Sequence, residues 1–351
     1  MPARRPRIPL PARQQYSLNR SLFYAVIVKI GYCSAVAGVF TNFPIKSQRA
    51  RAGESFPYIA ADEYEMAFGK RGERRVFLTA YTQSTGEFVR TLARHWRLLA
   101  ALAKRDLSDE YVTHGLSMSW TVIHPLAVML VYLFVFTKVF PSRIAPPPGA
   151  ATDAVDYLLS GLIPWLTLSQ VMGRSAGSVV GNASIVKQMA FPLELLPIKT
   201  LAGPLVFGGT SLAFLIVYGL WITDGAILPA YLLGLLPLVL LTLLMLAGIS
   251  LVLACAQVFM RDLKEFITIF LSIGLFTHPI LYFPGAIPAA VRPIVYLSPF
   301  SYLLFCWQDV MFYGGIQRPW AWLITATFAV VLFALGARLF VVSKSHFGDF
   351  L

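Results

Sequence analysis

Residues 229–257, PAYLLGLLPLVLLTLLMLAGISLVLACAQ, run for 29 positions without one charged side chain. About 20 mostly apolar residues in a helix are enough to cross the hydrocarbon core of a bilayer. Five further runs of this kind lie beyond residue 115, at about 116–138, 157–173, 200–223, 266–283 and 319–340. In lipid a helix satisfies its own backbone polar groups. The predicted fold is therefore an all-α integral membrane protein with six transmembrane helices. The second run is short, and Pro237 inside the fourth predicts a tilt or a kink. The connections between runs are compact, as in one integral domain rather than a string of modules.

Only 13% of the 351 residues are charged, about half of what a soluble domain carries. The charge is also lopsided. Residues 1–110 hold 18 of the 29 Lys and Arg and 9 of the 17 Asp and Glu. Nucleic-acid binders place such basic excess on a soluble fold. Here it flanks apolar spans, so anionic lipid headgroups are the expected partner and nucleic acid is not. Lys and Arg near span ends mark the cytoplasmic side. With the segment before the first span placed inside, Arg90, Arg94, Arg97, Lys104, Arg105, Arg174, Lys187, Lys199, Arg261, Lys264, Arg338 and Lys344 are inside too. Lys138, Arg143, Arg292 and Arg318 are left outside. Both termini are thus expected in the cytoplasm.

Residues 86–105, GEFVRTLARHWRLLAALAKR, have another character. At helical periodicity Phe88, Leu92, Trp96, Leu99 and Ala103 share one face. Arg90, Arg94, Arg97, Lys104 and Arg105 lie opposite. This is the pattern of a basic amphipathic helix lying in a membrane interface, expected over 86–110. Residues 284–306 are apolar but broken by Pro284, Pro288, Pro293 and Pro299. Proline interrupts helices, and broken backbone is tolerated at membrane depth only when buried in protein. Short re-entrant helices before the last span are expected there.

Residues 1–85 form an extension of unknown role. Residues 21–40 are apolar, with Lys29 among them and basic flanks on both sides. A spanning role is not favoured. An uncleaved signal-like segment, a disordered tail and a start codon assigned too early remain open.

Chemistry-bearing motifs are scarce. The chain has no G-x-x-x-x-G-K-[ST] loop to cradle a nucleotide, no H-E-x-x-H and no G-x-S-x-G. No catalytic residue and no metal site is expected. His124 and His278 each precede a proline in an apolar run, which suits a hydrogen-bonded packing histidine. Cys33, Cys255 and Cys306 lack paired spacing. Two polar handles stand out between the spans: IVKQMAFPLELLP (185–197) and MRDLKEF (260–266). The first is oily for a loop, with Phe191, Leu193, Leu195 and Leu196 beside Lys187 and Glu194.

Four stretches together resemble a known family: KRDLSDEYVTHGLSMSWTVIHPL (104–126), GNASIVKQMAFPLELLP (181–197), FMRDLKEF (259–266) and HPILYFPGAIPAAVRPIVYLSPFSYLL (278–304). The chain resembles the membrane subunit of type 2 ABC exporters, in the branch exporting O-antigen, capsule and teichoic-acid polymers. The second stretch matches the family pattern N-x-x-L-I-x-K-x-x-F-P-x-E-x-L-P most specifically. Ser298 stands where Asn is usual before Pro299, and Ala183-Ser184 where a Leu is more usual. Residues 1–85 have no counterpart.

The resemblance implies a transport subunit rather than an enzyme. Two copies of the chain would form the conduit in the bacterial inner membrane. Two copies of a separate ATPase would carry ATP and magnesium, with no cofactor on this chain. Lys187, Phe191, Pro192, Leu193, Glu194, Leu196, Arg261 and Asp262 would couple to that ATPase. Phe191, Leu193 and Leu196 would offer an apolar ridge, with Lys187 and Glu194 at its rim. Arg90, Arg94, Arg97, Lys104 and Arg105 would admit a lipid-linked polysaccharide, undecaprenyl being the expected carrier, since arginines suit a pyrophosphate. Tyr132, Phe134, Phe136, Phe270, Phe276, Tyr282 and Phe283 would line the conduit, packing against lipid being the alternative for each. Two other readings are a type 2 permease for a small molecule or drug, and a membrane-embedded transferase acting on lipid-linked sugars.

Overall fold

The computed structural model describes residues 85–111, 119–139, 153–186, 191–286, 289 and 292–351, all within the unit Tyr81–Leu351. Residues 1–84, which hold Cys33, fall outside them, as does Lys187. Every regular element among the described residues is helical. The elements run α1 (85–94), α2 (Trp96–Tyr111), α3 (Trp120–Phe134, continued by a π turn over Val135–Val139), α4 (Ala154–Ala176) and α5 (Ala183–Val186). They continue as α6 (Leu195–Lys199), α7 (Ala202–Ile222), α8 (Leu228–Phe259), α9 (Leu263–Thr277), α10 (Arg292–Leu297), α11 (Pro299–Met311), α12 (Pro319–Ser343) and α13 (Phe347–Phe350).

Four stretches are long and apolar enough to cross a membrane: Trp120–Val139, Leu195–Ile222, Tyr231–Phe259 and Pro319–His346. They answer to the first, third, fourth and sixth apolar runs. α8 continues through Pro237 for 32 residues. At 1.5 Å per residue that is about 48 Å, longer than the hydrocarbon core.

The other two runs fold differently from the simplest expectation. The second, expected as a short span over 157–173, belongs to the 23-residue helix α4. Ser160, Gly161, Thr167, Ser169 and Gln170 dilute its hydropathy. Those residues are explained by position, because most of α4 is buried against α7, α8, α9 and α11. Small and hydroxyl-bearing residues let membrane helices approach closely. The fifth run, expected over 266–283, is helical only to Thr277. α9 is then about 22 Å long, short of a full crossing. The cause is local. His278 precedes Pro279, a position biased away from helical backbone, and its ψ of 155° is extended. The broken segment that follows does form short helices, a 3-10 turn at Pro284–Ala286 and then α10 and α11.

Backbone contact between α8 and α12 sets the frame. A Cβ on Gly248 would lie 2.7 Å from the Phe333 amide nitrogen, and one on Gly336 would lie 2.8 Å from the Gly248 carbonyl oxygen. Backbone cannot yield as a flexible side chain can. Gly248→Leu is therefore expected to lower stability by about 3 kcal/mol, the upper end of ordinary overpacking. Gly173→Ala, where added carbon meets open space, is expected to be neutral or to gain up to about 1 kcal/mol from helix propensity. Thermal midpoints of the detergent-solubilised proteins check both.

Candidate functional site

The segment 191–199 links α5 to α7 through two tight backbone bonds, Leu195 N–H to Pro192 O and Leu196 N–H to Leu193 O, each 3.1 Å. Pro192 lies before α6 and Pro197 sits in its first turn, where a missing N–H is tolerated; α6 itself runs only five residues. Phe191, Pro192 and Leu193 are half-buried. Leu196 differs from the expectation. It is 1% exposed, so it packs inside its own chain and the open apolar ridge is reduced to Phe191 and Leu193. The Pro197 carbonyl accepts from Ser250 Oγ of α8 at 2.8 Å and from Thr200 Oγ1 at 2.7 Å.

Glu194 is likewise interior rather than at a rim, at 3% exposed. Its carboxylate does not cap α6. It accepts from Lys344 Nζ at 2.7 Å, and the same ammonium stands 3.5 Å from Glu87. A second ionic knot joins Asp106 of α2 to Arg174 of α4 at 3.0 Å and to Lys199 of α6 at 3.3 Å. The α1–α2 helix, the 191–199 segment and the end of α12 are thus tied by charge at one end of the bundle. Arg261 and Asp262 sit exposed at the turn between α8 and α9. Gln257 donates to the Arg261 carbonyl at 2.8 Å. Lys264 lies against Gly177, just past the C-terminus of α4, where a cation suits the helix dipole.

α1 and α2 run on through His95, whose N–H bonds Thr91 O while its own carbonyl receives Leu99 N–H. Arg90, Arg94, Arg97, Lys104 and Arg105 are all exposed. Arg97 stacks over the Trp96 ring at 5.7 Å, and Arg105 pairs with Asp109 at 3.5 Å. On the apolar face Phe88 is buried while Trp96 is 60% exposed. The helix is therefore anchored at its start and leaves its middle indole uncovered by the chain.

The expected aromatic residues divide by packing. Tyr132 and Phe136 stack at 6.3 Å, and Phe134 and Phe276 are open on the surface. Phe270 meets Trp165 at 6.2 Å and Phe300 at 5.7 Å. Phe283 packs on Tyr157 at 4.2 Å and on Phe312 at 5.8 Å. Tyr282 turns its hydroxyl onto the Thr277 carbonyl. Part of this set therefore contributes to internal packing.

The turn after α9 shows how broken backbone is kept satisfied. The Pro279 carbonyl accepts from Gln308 Nε2 at 2.6 Å and has the Tyr157 hydroxyl 3.1 Å away. That hydroxyl also reaches the Tyr282 carbonyl at 2.9 Å. His278 is a packing histidine, with Nδ1 at 2.7 Å from Gly274 O and Nε2 at 2.8 Å from Ser298 Oγ. Ser298, where the family pattern has Asn, thus bridges α9 to the start of α11. Asp309, fully buried, accepts from the Arg318 backbone N–H at 3.0 Å and from Trp322 Nε1 at 3.2 Å. Among the described residues no group of three His, Cys, Asp or Glu side chains gathers to hold a metal.

Sequence reasoning missed Lys344, Glu87 and Asp106 as partners, and Tyr157 and Gln308 as donors. Only Asp106 carried a signal, as part of the quoted RDL. The others are ordinary residue types whose roles come from contacts far along the chain.

The chain matches the ABC-2 type transporter family over residues 97–312. Two Klebsiella pneumoniae proteins named O-antigen export system permease protein RfbA are each 25% identical over 263 residues, which is 72% of this chain and 95% of theirs. A Myxococcus xanthus protein of the same name is 26% identical over 268 residues, 74% of this chain and 98% of its own length.

Removing the Tyr157 hydroxyl leaves the Tyr282 carbonyl without that donor. Tyr157→Phe is expected to cost about 1–3 kcal/mol, the usual effect of stranding a buried polar group. A thermal-midpoint measurement checks it, with loss of packing around Phe283 read from tryptophan or tyrosine fluorescence.

Proposed function

Because this chain belongs to the ABC-2 type transporter family, we propose that it is the permease subunit of an exporter carrying a polysaccharide across the bacterial inner membrane. The family match and the three O-antigen export permeases support that reading. One observation carries the mechanism. A short segment, 191–199, is joined by ion pairs and a hydrogen bond to the interface helix, α8 and the end of α12, and through Asp106 of that helix to α4. A push on such a segment reaches several helices at once. A separate ATPase, two copies per complex, supplies the push and holds ATP and magnesium.

In this reading six helices span the membrane, α4 and α9 being completed by their neighbours, and α10 and α11 are the re-entrant pair. Both termini are cytoplasmic, so Glu194 and Lys344 lie on the ATPase side. Phe191, Leu193, Arg261 and Asp262 meet the ATPase. A second copy of the chain completes the conduit. Phe266, Ile269, Ile273 and Phe276 form an exposed apolar stripe on α9 that suits such a contact. The exposed arginines of α1 and α2 engage the pyrophosphate of an undecaprenyl-linked polymer. Tyr132, Phe134, Phe136, Phe270, Phe276, Tyr282 and Phe283 are the candidate wall for the sugar chain.

Reconstitution with a partner ABC ATPase tests the assignment. ATP-dependent delivery of polymer into proteoliposomes is expected. Sugar-transfer turnover by the chain alone, or ATP-driven movement of a small drug in place of polymer, overturns it. Arg94→Glu with Arg97→Glu is expected to weaken engagement of the lipid-linked substrate by about tenfold or more, since each basic residue near an anionic surface contributes roughly 1 kcal/mol. Binding to vesicles carrying the lipid-linked polymer, at matched protein level, measures this.

A further inference from the structure

The 191–199 segment is tied by ion pairs at both ends to the helix of residues 85–111. At its start the link runs through Lys344, which takes Glu194 at 2.7 Å and Glu87 at 3.5 Å. At its end Lys199 pairs directly with Asp106 at 3.3 Å. We propose that the interface helix moves with the coupling segment as one body, with Lys344 as the positioning residue that locks the two to each other and to the last span. This rests on the coupling role assigned above to residues 191–199.

Lys344 is suited to the task by where it is held. An ammonium offers three donors, enough for two carboxylates at once. It stands at the C-cap of α12, between Phe340 and Phe347, both fully buried. Their rings meet at 5.3 Å. Phe347 also reaches Phe259 at the end of α8, 6.3 Å away, and Phe350 meets the same ring at 5.0 Å. The backbone around Lys344 is therefore pinned on both sides. Glu87 is pinned as well, because its neighbour Phe88 is buried edge-on against Phe333 of α12 at 5.9 Å. Glu194 is nearly free of solvent, which leaves its pairing less screened than a surface bridge. A stiff link transmits displacement where a loose one absorbs it. Movement of Glu194 would then carry Arg90, Arg94 and Arg97, three turns of the same helix, toward or away from an anionic headgroup.

The test uses the full chain in complex with its ATPase in proteoliposomes. Lys344→Met is expected to lower the ratio of polymer exported to ATP hydrolysed by about tenfold, within the 5–150-fold covered by ordinary coupling free energies. Lys344→Arg keeps most of that ratio. The charge-reversed triple Glu87→Lys, Glu194→Lys, Lys344→Glu restores it, which a packing role alone would not do. Nitroxide labels at Val89→Cys and Phe191→Cys report the motion directly. Their separation is expected to be the same in nucleotide-free and ATP-trapped complexes, and to change on trapping once Lys344→Met is added. A separation that changes in the protein with Lys344 intact overturns the proposal. So does a Lys344→Met protein with an unaltered ratio, or a reversed triple still uncoupled at an unchanged thermal midpoint. Absence of ATP-dependent export by the parent protein, with the label distances behaving as expected, defeats the export reading and leaves the single-body motion standing.

Discussion

Where α8 and α12 cross, the side chains are missing so that the backbones can touch. Gly248 and Gly336 meet there, with the Phe333 amide and the Gly248 carbonyl in the places their β-carbons would need. In a membrane, where lipid is as apolar as leucine, close contact of this kind is a main source of helix association. It also has a directional result. Fixing α12 against α8 fixes the position of Lys344 at the end of one and of Phe259 at the end of the other. The ionic knot around Glu194 takes its cation from the first of those ends, and the second packs its ring on Phe347 beside it. The opposite end is assembled on a different principle. There the turn after α9 exposes carbonyls that α4 and α11 answer with Tyr157 and Gln308.

The two ends of the bundle each combine charge and rings in different proportion: Phe259, Phe340, Phe347 and Phe350 pack beside Lys344 at one end, and Asp309 pairs with Arg318 at the other. Charge gathers around residues 191–199, where Asp106, Arg174, Lys199, Glu194, Glu87 and Lys344 pair across α1, α2, α4, α6 and the end of α12. Rings gather near 278–283, where Trp165, Phe270 and His278 form one cluster and Tyr157, Phe283 and Phe312 another. Ion pairs confer a defined register between moving parts, whereas aromatic faces accept a ligand without demanding one sequence.

Much of this was legible in the residues. The uncharged run at 229–257 and the amphipathic period of 86–105 each led to the element that forms, whereas the oily handle at 185–197 lies partly outside the described residues and its described part runs into α6. Two spans were less readable. α4 looked short because the small residues that let it sit at the centre depress its apolarity. α9 looked long because 278–283 remain apolar after the helix has ended at His278-Pro279. The site was legible as a segment and not as a set of contacts. Glu194 reads as a rim charge until the end of α12, distant in sequence, is folded against it. Leu196 reads as part of an open ridge until the rest of the chain buries it. Periodicity reports which face is apolar, but only tertiary packing decides whether that face meets a partner or its own chain.

The bond between Glu194 and Lys344 joins residues 150 positions apart. Polypeptide is made at roughly 5–20 residues per second, so on the order of ten seconds pass between the synthesis of the two. Through that interval the Glu194 carboxylate lacks its counter-ion and is best kept in water. The burial of Glu194 against its ammonium partner therefore waits on the last apolar helix. The contact that ties these two segments in the finished protein is thus among the last that can form during synthesis.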